Sequence, residues 1–157
     1  MRKLLTISLC LFLTIVTDIQ AQEIPDFSGT WVLDTSRGEN LGMVKAVTQT
    51  VVISQTADRL VVDVTSSFMF TENVRQLNYD LTGGTTTNET AMGEKSETVS
   101  SWIDGALVAV WTSIGAVAGS EVVRTETRSL SADAQTMTLS TARGDNPPRI
   151  MVFDRQE

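Results

Sequence analysis

Asp26-Phe27-Ser28-Gly29-Thr30-Trp31 decides how the rest of this 157-residue chain is read. It follows an apolar leader and opens a strand-like segment, Phe27 to Asp34, with a glycine two residues ahead of a tryptophan. Small barrel domains often begin in this way. The stretch therefore points to an exported β-barrel, but it specifies neither ligand nor reaction.

Upstream of it, Met1-Arg2-Lys3 is basic, Leu4 to Val16 is almost wholly apolar, and Ile19-Gln20-Ala21 offers a small residue before Gln22, the pattern of a secretory signal peptide. The apolar run falls short of the ~20 residues a membrane-spanning helix needs. Residues 1–21 are therefore expected to be a signal peptide and 22–157 a single domain, exported to the periplasm or the extracellular space. A lipidated Cys10 is the competing possibility, but Leu9 is large where such a site wants a small residue, so Cys10 reads as an ordinary signal-peptide cysteine. It is the chain's only cysteine, so residues 22–157 can form no disulfide and offer no thiol nucleophile.

Charge narrows the partners. The chain has 12 Lys+Arg against 19 Asp+Glu, and losing Arg2, Lys3 and Asp18 with the leader shifts its net charge from −7 to −8. Nucleic-acid binders concentrate positive charge on a face, so nucleic acid is not an expected partner. With no histidine, the domain cannot build a Ser-His-Asp or Cys-His nucleophile, the usual zinc ligand set or an imidazole switch. No metal, no cofactor and no catalytic activity are expected.

Ten short segments rich in Val, Thr, Ile and aromatic residues follow one another: Phe27 to Asp34, Thr48 to Gln55, Leu60 to Ser66, Gln76 to Leu81, Thr85 to Thr90, Glu97 to Ile103, Ala106 to Thr112, Glu121 to Leu130, Thr136 to Thr141 and Arg149 to Asp154. Asp104-Gly105 is a two-residue hairpin signal, Gly83-Gly84 a second and Ser131 to Gln135 a looser third. No helix-length connection separates the strands, which excludes a parallel βαβ arrangement. Leu41 to Val47 reads equally as a short helix or as a loop over a barrel end. The expected fold is all-β: one antiparallel up-and-down barrel of 8–10 strands, with a short helix or loop after the first.

Barrel strands alternate inward and outward side chains. In the segment Glu121 to Leu130, Arg124, Glu126 and Arg128 share one face while Val123, Thr125, Thr127 and Ser129 share the other. Charged strand residues ordinarily sit in water, so the simple expectation is a hydroxyl-lined interior with the charges outside. The opposite registration is the functional one. It would turn Arg124 and Arg128 inward, let Glu126 offset part of their charge, and make a forked anchor for an anionic head group.

Phe27-Ser28-Gly29-Thr30-Trp31, the run of hairpins and the final strand Arg149-Ile150-Met151-Val152-Phe153-Asp154-Arg155 together resemble the calycins, the lipocalin and fatty-acid-binding-protein barrels. The resemblance spans nearly the whole domain in strand order, though only Gly29-x-Trp31 is a motif. It implies that Trp31 packs across the closed barrel end against a late arginine, Arg155 being the better match and Arg149 the other. Gly29, Trp31 and Arg155 are thus assigned to structure. It also implies a small hydrophobic or amphipathic ligand. Where fatty-acid-binding proteins carry an Arg-x-Tyr carboxylate clamp, however, this chain has Met151 and Phe153.

The candidate ligand-facing residues are Arg124, Arg128, Met151, Phe153 and Trp111. Trp102 and Trp111 flank the Asp104-Gly105 turn and could offer rings to a ligand, although packing is the commoner use of such residues. Phe68-Met69-Phe70 is expected to be ordinary core rather than an apolar rim, and Asn88-Glu89-Thr90 matches a glycosylation sequon. An enzyme would have to pair carboxylates such as Asp63, Asp80 and Glu126. A secreted interaction module, an inhibitor or envelope-assembly factor with a filled barrel, is the alternative to a ligand carrier. A membrane-spanning barrel is not expected, because its strands need ~9–11 residues and an apolar outer band. A monomer is expected.

Overall fold

The computed structural model describes residues 24–90, 93–115, 117 and 119–157. The signal-peptide assignment and Cys10 lie outside the described residues. Ten antiparallel strands follow in chain order: β1 Gly29–Glu39, β2 Thr48–Gln55, β3 Arg59–Phe68, β4 Thr71–Asp80, β5 Thr85–Glu89, β6 Lys95–Ile103, β7 Ala106–Ile114, β8 Glu121–Leu130, β9 Thr136–Arg143 and β10 Arg149–Gln156. A 3-10 turn, Gly42–Ala46, stands between β1 and β2. The sheet order is β4-β3-β2-β1-β10-β9-β8-β7-β6-β5, so the first and last strands pair and the meander rolls into a nearly closed barrel.

Local chemistry accounts for the elements. In β3, Leu60, Val62 and Val64 are buried while the residues between them are not, the two-residue period of a half-covered strand. Asp104 and Gly105 take φ of 49° and 77°, the positive values that a type I′ turn requires at both centres. Because the strands run up and down, the odd-to-even connections gather at one end and the even-to-odd ones at the other.

The barrel does not close by a ladder between β4 and β5, so Gly83-Gly84 joins two strands that do not form a hydrogen-bonded hairpin. The Asn88 side chain spans the gap instead. Its Oδ1 accepts from the Asn78 N–H at 2.7 Å, and its Nδ2 donates to the Asn78 carbonyl at 2.8 Å and to Thr98 Oγ1 at 3.1 Å. A side-chain amide here does the work of a peptide group on the neighbouring strand. Thr86 Oγ1 and Ser100 Oγ donate to the β4 carbonyls of Asn78 and Asp80. These bonds satisfy edge groups that would otherwise stay unpaired. Asn88 is buried, so its amide nitrogen is committed to the seam and not displayed to a glycosylating enzyme.

The closed end is built from the opening hexapeptide. Trp31 and Phe27 are fully buried, and Trp31 Nε1 donates to the Phe27 carbonyl at 2.9 Å. The Arg155 guanidinium lies 4.3 Å from the centre of the Trp31 ring, with Nη1 donating to Ser28 O at 2.6 Å and Nε to Ala134 O at 2.9 Å. Gly29 has φ of 135°, and a Cβ on it would stand 2.6 Å from Arg155 Nη1. Trp102 stacks on Phe27 with ring centres 6.0 Å apart. It therefore packs at the floor and not at the mouth.

One stretch departs from expectation at the other end. Phe68-Met69-Phe70 is not core: it forms the β3–β4 turn, with Met69 at φ 55° and Phe70 fully exposed. A tight hairpin leaves its tip side chains nothing to pack on.

Candidate ligand-binding cavity

The neighbours of β8 decide which of its faces points inward. Residues directly opposite each other in an antiparallel pair share a face. Arg124 stands opposite Trp111 on β7, Glu126 opposite Ala109 on β7 and Thr141 on β9, and Arg128 opposite Leu107 and Leu139. Those five partners are all buried. The apolar faces of β7 and β9 thus carry the charged face of β8 inside with them, and the hydroxyl face stays out. This overturns the expectation of a hydroxyl-lined interior, because slipping β8 by one residue would expose the core faces of both neighbours.

The inward side chains surround a cavity of about 220 Å³. The lining is mixed: Val51, Val62, Val64, Leu77, Met137, Leu139, Met151 and Phe153 are apolar, with Val44 and Val47 from the 3-10 turn region beside them. Arg75, Arg124, Arg128, Arg149, Glu126 and Trp111 lie among these, with Glu89 and Thr90 also lining the space.

The charged groups are partly tied to one another. Arg124 lies over the Trp111 ring, 4.2 Å from its centre, and its Nη2 is 3.3 Å from Glu126 Oε1. The Tyr79 hydroxyl donates to Glu126 Oε2 at 3.2 Å, and the Arg128 guanidinium lies 5.3 Å from the Tyr79 ring centre. Burial drives the Tyr79 phenol well above its ordinary pKa, the Glu126 carboxylate adds to the rise, and Arg128 opposes it. Burial also lowers the Arg75 pKa, against the attraction of Glu126.

Compensation is incomplete. The Nε atoms of Arg75, Arg124, Arg128 and Arg149, with Trp111 Nε1 and Thr141 Oγ1, are buried and have no hydrogen-bond partner among the described residues. Buried polar atoms are nearly always paired, so six in one barrel need an explanation.

The sequence candidates Arg124, Arg128, Trp111, Met151 and Phe153 all line this cavity, whereas Gly29, Trp31 and Arg155 lie at the closed end. Arg149 is at the cavity and does not stack on Trp31. Arg75 went unnamed in the sequence, although it is in phase with the buried Leu77 and Tyr79. Met151 and Phe153 line the cavity with apolar side chains, and guanidinium groups reach it from β4, β8 and the start of β10.

The carboxylates do not form a catalytic pair. Asp63 accepts from Gln76 on the outer face, and Asp80 accepts from Thr82 and Gly84 in the turn, which lowers its pKa. Only Glu126 of the three faces the cavity. Among the described residues no group of three or more His, Cys, Asp and Glu side chains is placed to hold a metal, and no helix is long and apolar enough to cross a membrane.

No family profile and no curated protein matches the sequence. The fold does match known ones: this is a calycin-like barrel, and solved structures of the same fold include one described as a fatty acid transporter and a fatty-acid-binding protein. In particular it resembles the fluorescent protein UnaG in its N57A form, with 20% identity and a TM-score of 0.66 over 83% of this chain and 96% of that one. Human cRBP IV superposes with a TM-score of 0.66 at 16% identity, covering 84% of this chain and 99% of its own. Fatty-acid-binding protein 1 of Echinococcus granulosus gives a TM-score of 0.63 at 12% identity over 83% and 98%.

Proposed function

We propose that this protein is an exported, non-catalytic carrier of a small amphipathic organic anion. The observation that carries the reading is a cavity lined by apolar side chains together with four arginines against only two carboxylates. Uncompensated buried charge is costly, and an anionic head group would relieve it while its apolar part covers Leu77, Leu139, Met151 and Phe153. The similarity to a fatty-acid-binding protein and to a structure described as a fatty acid transporter supports the same class of ligand. An interaction module would favour a filled interior, and the 220 Å³ cavity speaks for a carrier. The leader, Met1 to Ala21, supports export to the periplasm or outside the cell.

Native mass spectrometry of protein recovered from its own source tests the reading: an organic acid should survive desolvation bound to the chain. In parallel, the compact two-ring dye prodan should bind and be displaced by small organic acids, with displacement weakened in Arg128→Met. Empty protein that binds neither the dye nor any organic acid would leave the interaction module as the better account.

A further inference from the structure

Within that carrier reading, we infer that the ligand is a compact organic dianion: a molecule with two negative charges, not the single charge of a simple monocarboxylate. The inference depends on the charge balance of the cavity. Four guanidinium groups line it against two carboxylates, Glu126 and Glu89. Glu126 is committed to Arg124 at 3.3 Å and to the Tyr79 hydroxyl, and Glu89 is an exposed residue at the end of β5. Arg75, Arg128 and Arg149 have no carboxylate within ion-pair distance among the described residues. The lining thus holds a surplus of two positive charges inside a chain whose net charge is −7.

Such an inversion of sign has a physical consequence. The remainder of the protein carries the excess negative charge, so the cavity is where a small anion is drawn, and low-dielectric walls concentrate that field. A monocarboxylate cancels one of the two surplus charges and leaves one guanidinium of the lining without a counter-charge. Two negative charges bring the lining to neutrality.

The surplus is also spread along the barrel. Arg124 and Arg128 are four residues apart on β8, about 13 Å of strand, and they rest on different rings, Trp111 and Tyr79. Size points the same way as charge. A cavity of about 220 Å³ lies below the ~300–1,000 Å³ of pockets that hold drug-sized ligands, which suits a short molecule better than a long acyl chain.

Two kinds of molecule carry this chemistry, one with a carboxylate at each end and one with a single phosphate head. Calorimetric titration of the full domain with octanoate, octanedioate and octyl phosphate at pH 8 and low salt separates them. Either dianion should bind at least about tenfold more tightly than octanoate, and the preference should shrink as salt rises. Which dianion wins tells whether the two charges are read apart or together. In Arg128→Met the preference should fall to within about threefold, while Glu126→Gln, which adds to the surplus, should widen it.

Octanoate binding as tightly as both dianions would overturn the inference and leave the carrier reading standing. Failure of all three acids, in a protein shown by circular dichroism to be folded, would remove both.

Discussion

Arg155 and Arg128 are both guanidinium groups set against an aromatic ring inside one barrel, and they differ in what else surrounds them. Arg155 gives its Nε to Ala134 O and its Nη1 to Ser28 O while lying over Trp31. Arg128 is more deeply buried, lies over Tyr79, and keeps an Nε with no protein acceptor. The first is a finished contact, joining the N-terminal segment, the β8–β9 loop and the last strand at the barrel floor. The second is an unfinished one. Stability and binding are thus assigned to two neighbouring arginines of the same interior, Arg128 being paired with Leu107 just above the floor, and each substitution below is a way to break that division.

The floor should give the largest effect. Trp31→Ala removes a fully buried aromatic and the donor to Phe27 O, and should lower unfolding free energy in urea by ~3–5 kcal/mol. A loss under ~0.5 kcal/mol, the scale of a surface substitution, would mean the floor holds nothing together. Gly29→Ala follows, at about 1–3 kcal/mol, because L side chains rarely adopt φ of 135° and the new methyl meets Arg155. Repeating it in an Arg155→Met background separates the two causes: a smaller penalty there assigns the difference to the clash.

The cavity should answer with the opposite sign. Arg128→Met exchanges a buried, uncompensated charge for an apolar side chain of similar reach, and should leave the unliganded protein as stable as before or more stable by ~1 kcal/mol. The same variant should lose affinity for organic acids. If Arg128→Met instead costs as much as Trp31→Ala, the guanidinium is structural, and the contrast between the two arginines disappears.

Much of the barrel was legible because its signals are local. The period-two pattern of Leu60, Val62 and Val64, the Asp104-Gly105 turn and the absence of any helix-length connection bear on neighbouring residues, and β2 and β8 begin and end where the pattern says. The candidate site was less legible, because its orientation is not local. Nothing within Arg124-Thr125-Glu126-Thr127-Arg128 says which face is inner; the buried partners Leu107, Ala109, Trp111, Leu139 and Thr141 say it, through a register set across a loop too long to read. The Asn88 seam was hidden for a similar reason. Its three residues match a sequon, and only the missing ladder between β4 and β5 gives the amide its partners. Phe68-Met69-Phe70 misled in the other direction, since apolar composition marks a hairpin tip no differently from a core.

The smallest predicted effect reads the surroundings of Arg128 directly. Tyr79 is the only tyrosine in the chain, so phenolate absorbance reports on one position. It is fully buried and hydrogen-bonded to Glu126, a residue of the cavity lining. Burial first and Glu126 second raise its pKa above the ordinary value, which for a tyrosine means that the neutral form is the one the fold favours. Its contribution to stability is therefore fully present below about pH 10, the unfolded value, and is lost as pH rises through the higher folded value. An alkaline titration should show no phenolate signal at pH 10 while the near-ultraviolet dichroism of the folded barrel persists, and the two should change together beyond it. In Glu126→Gln the titration should move down, since a neighbouring negative charge is gone; in Arg128→Met it should move up, since a neighbouring positive charge is gone. A phenol that titrates at its ordinary value in the folded protein would mean that water reaches Tyr79. The guanidinium resting on it would then be solvated, and the cavity would need no anion to complete it.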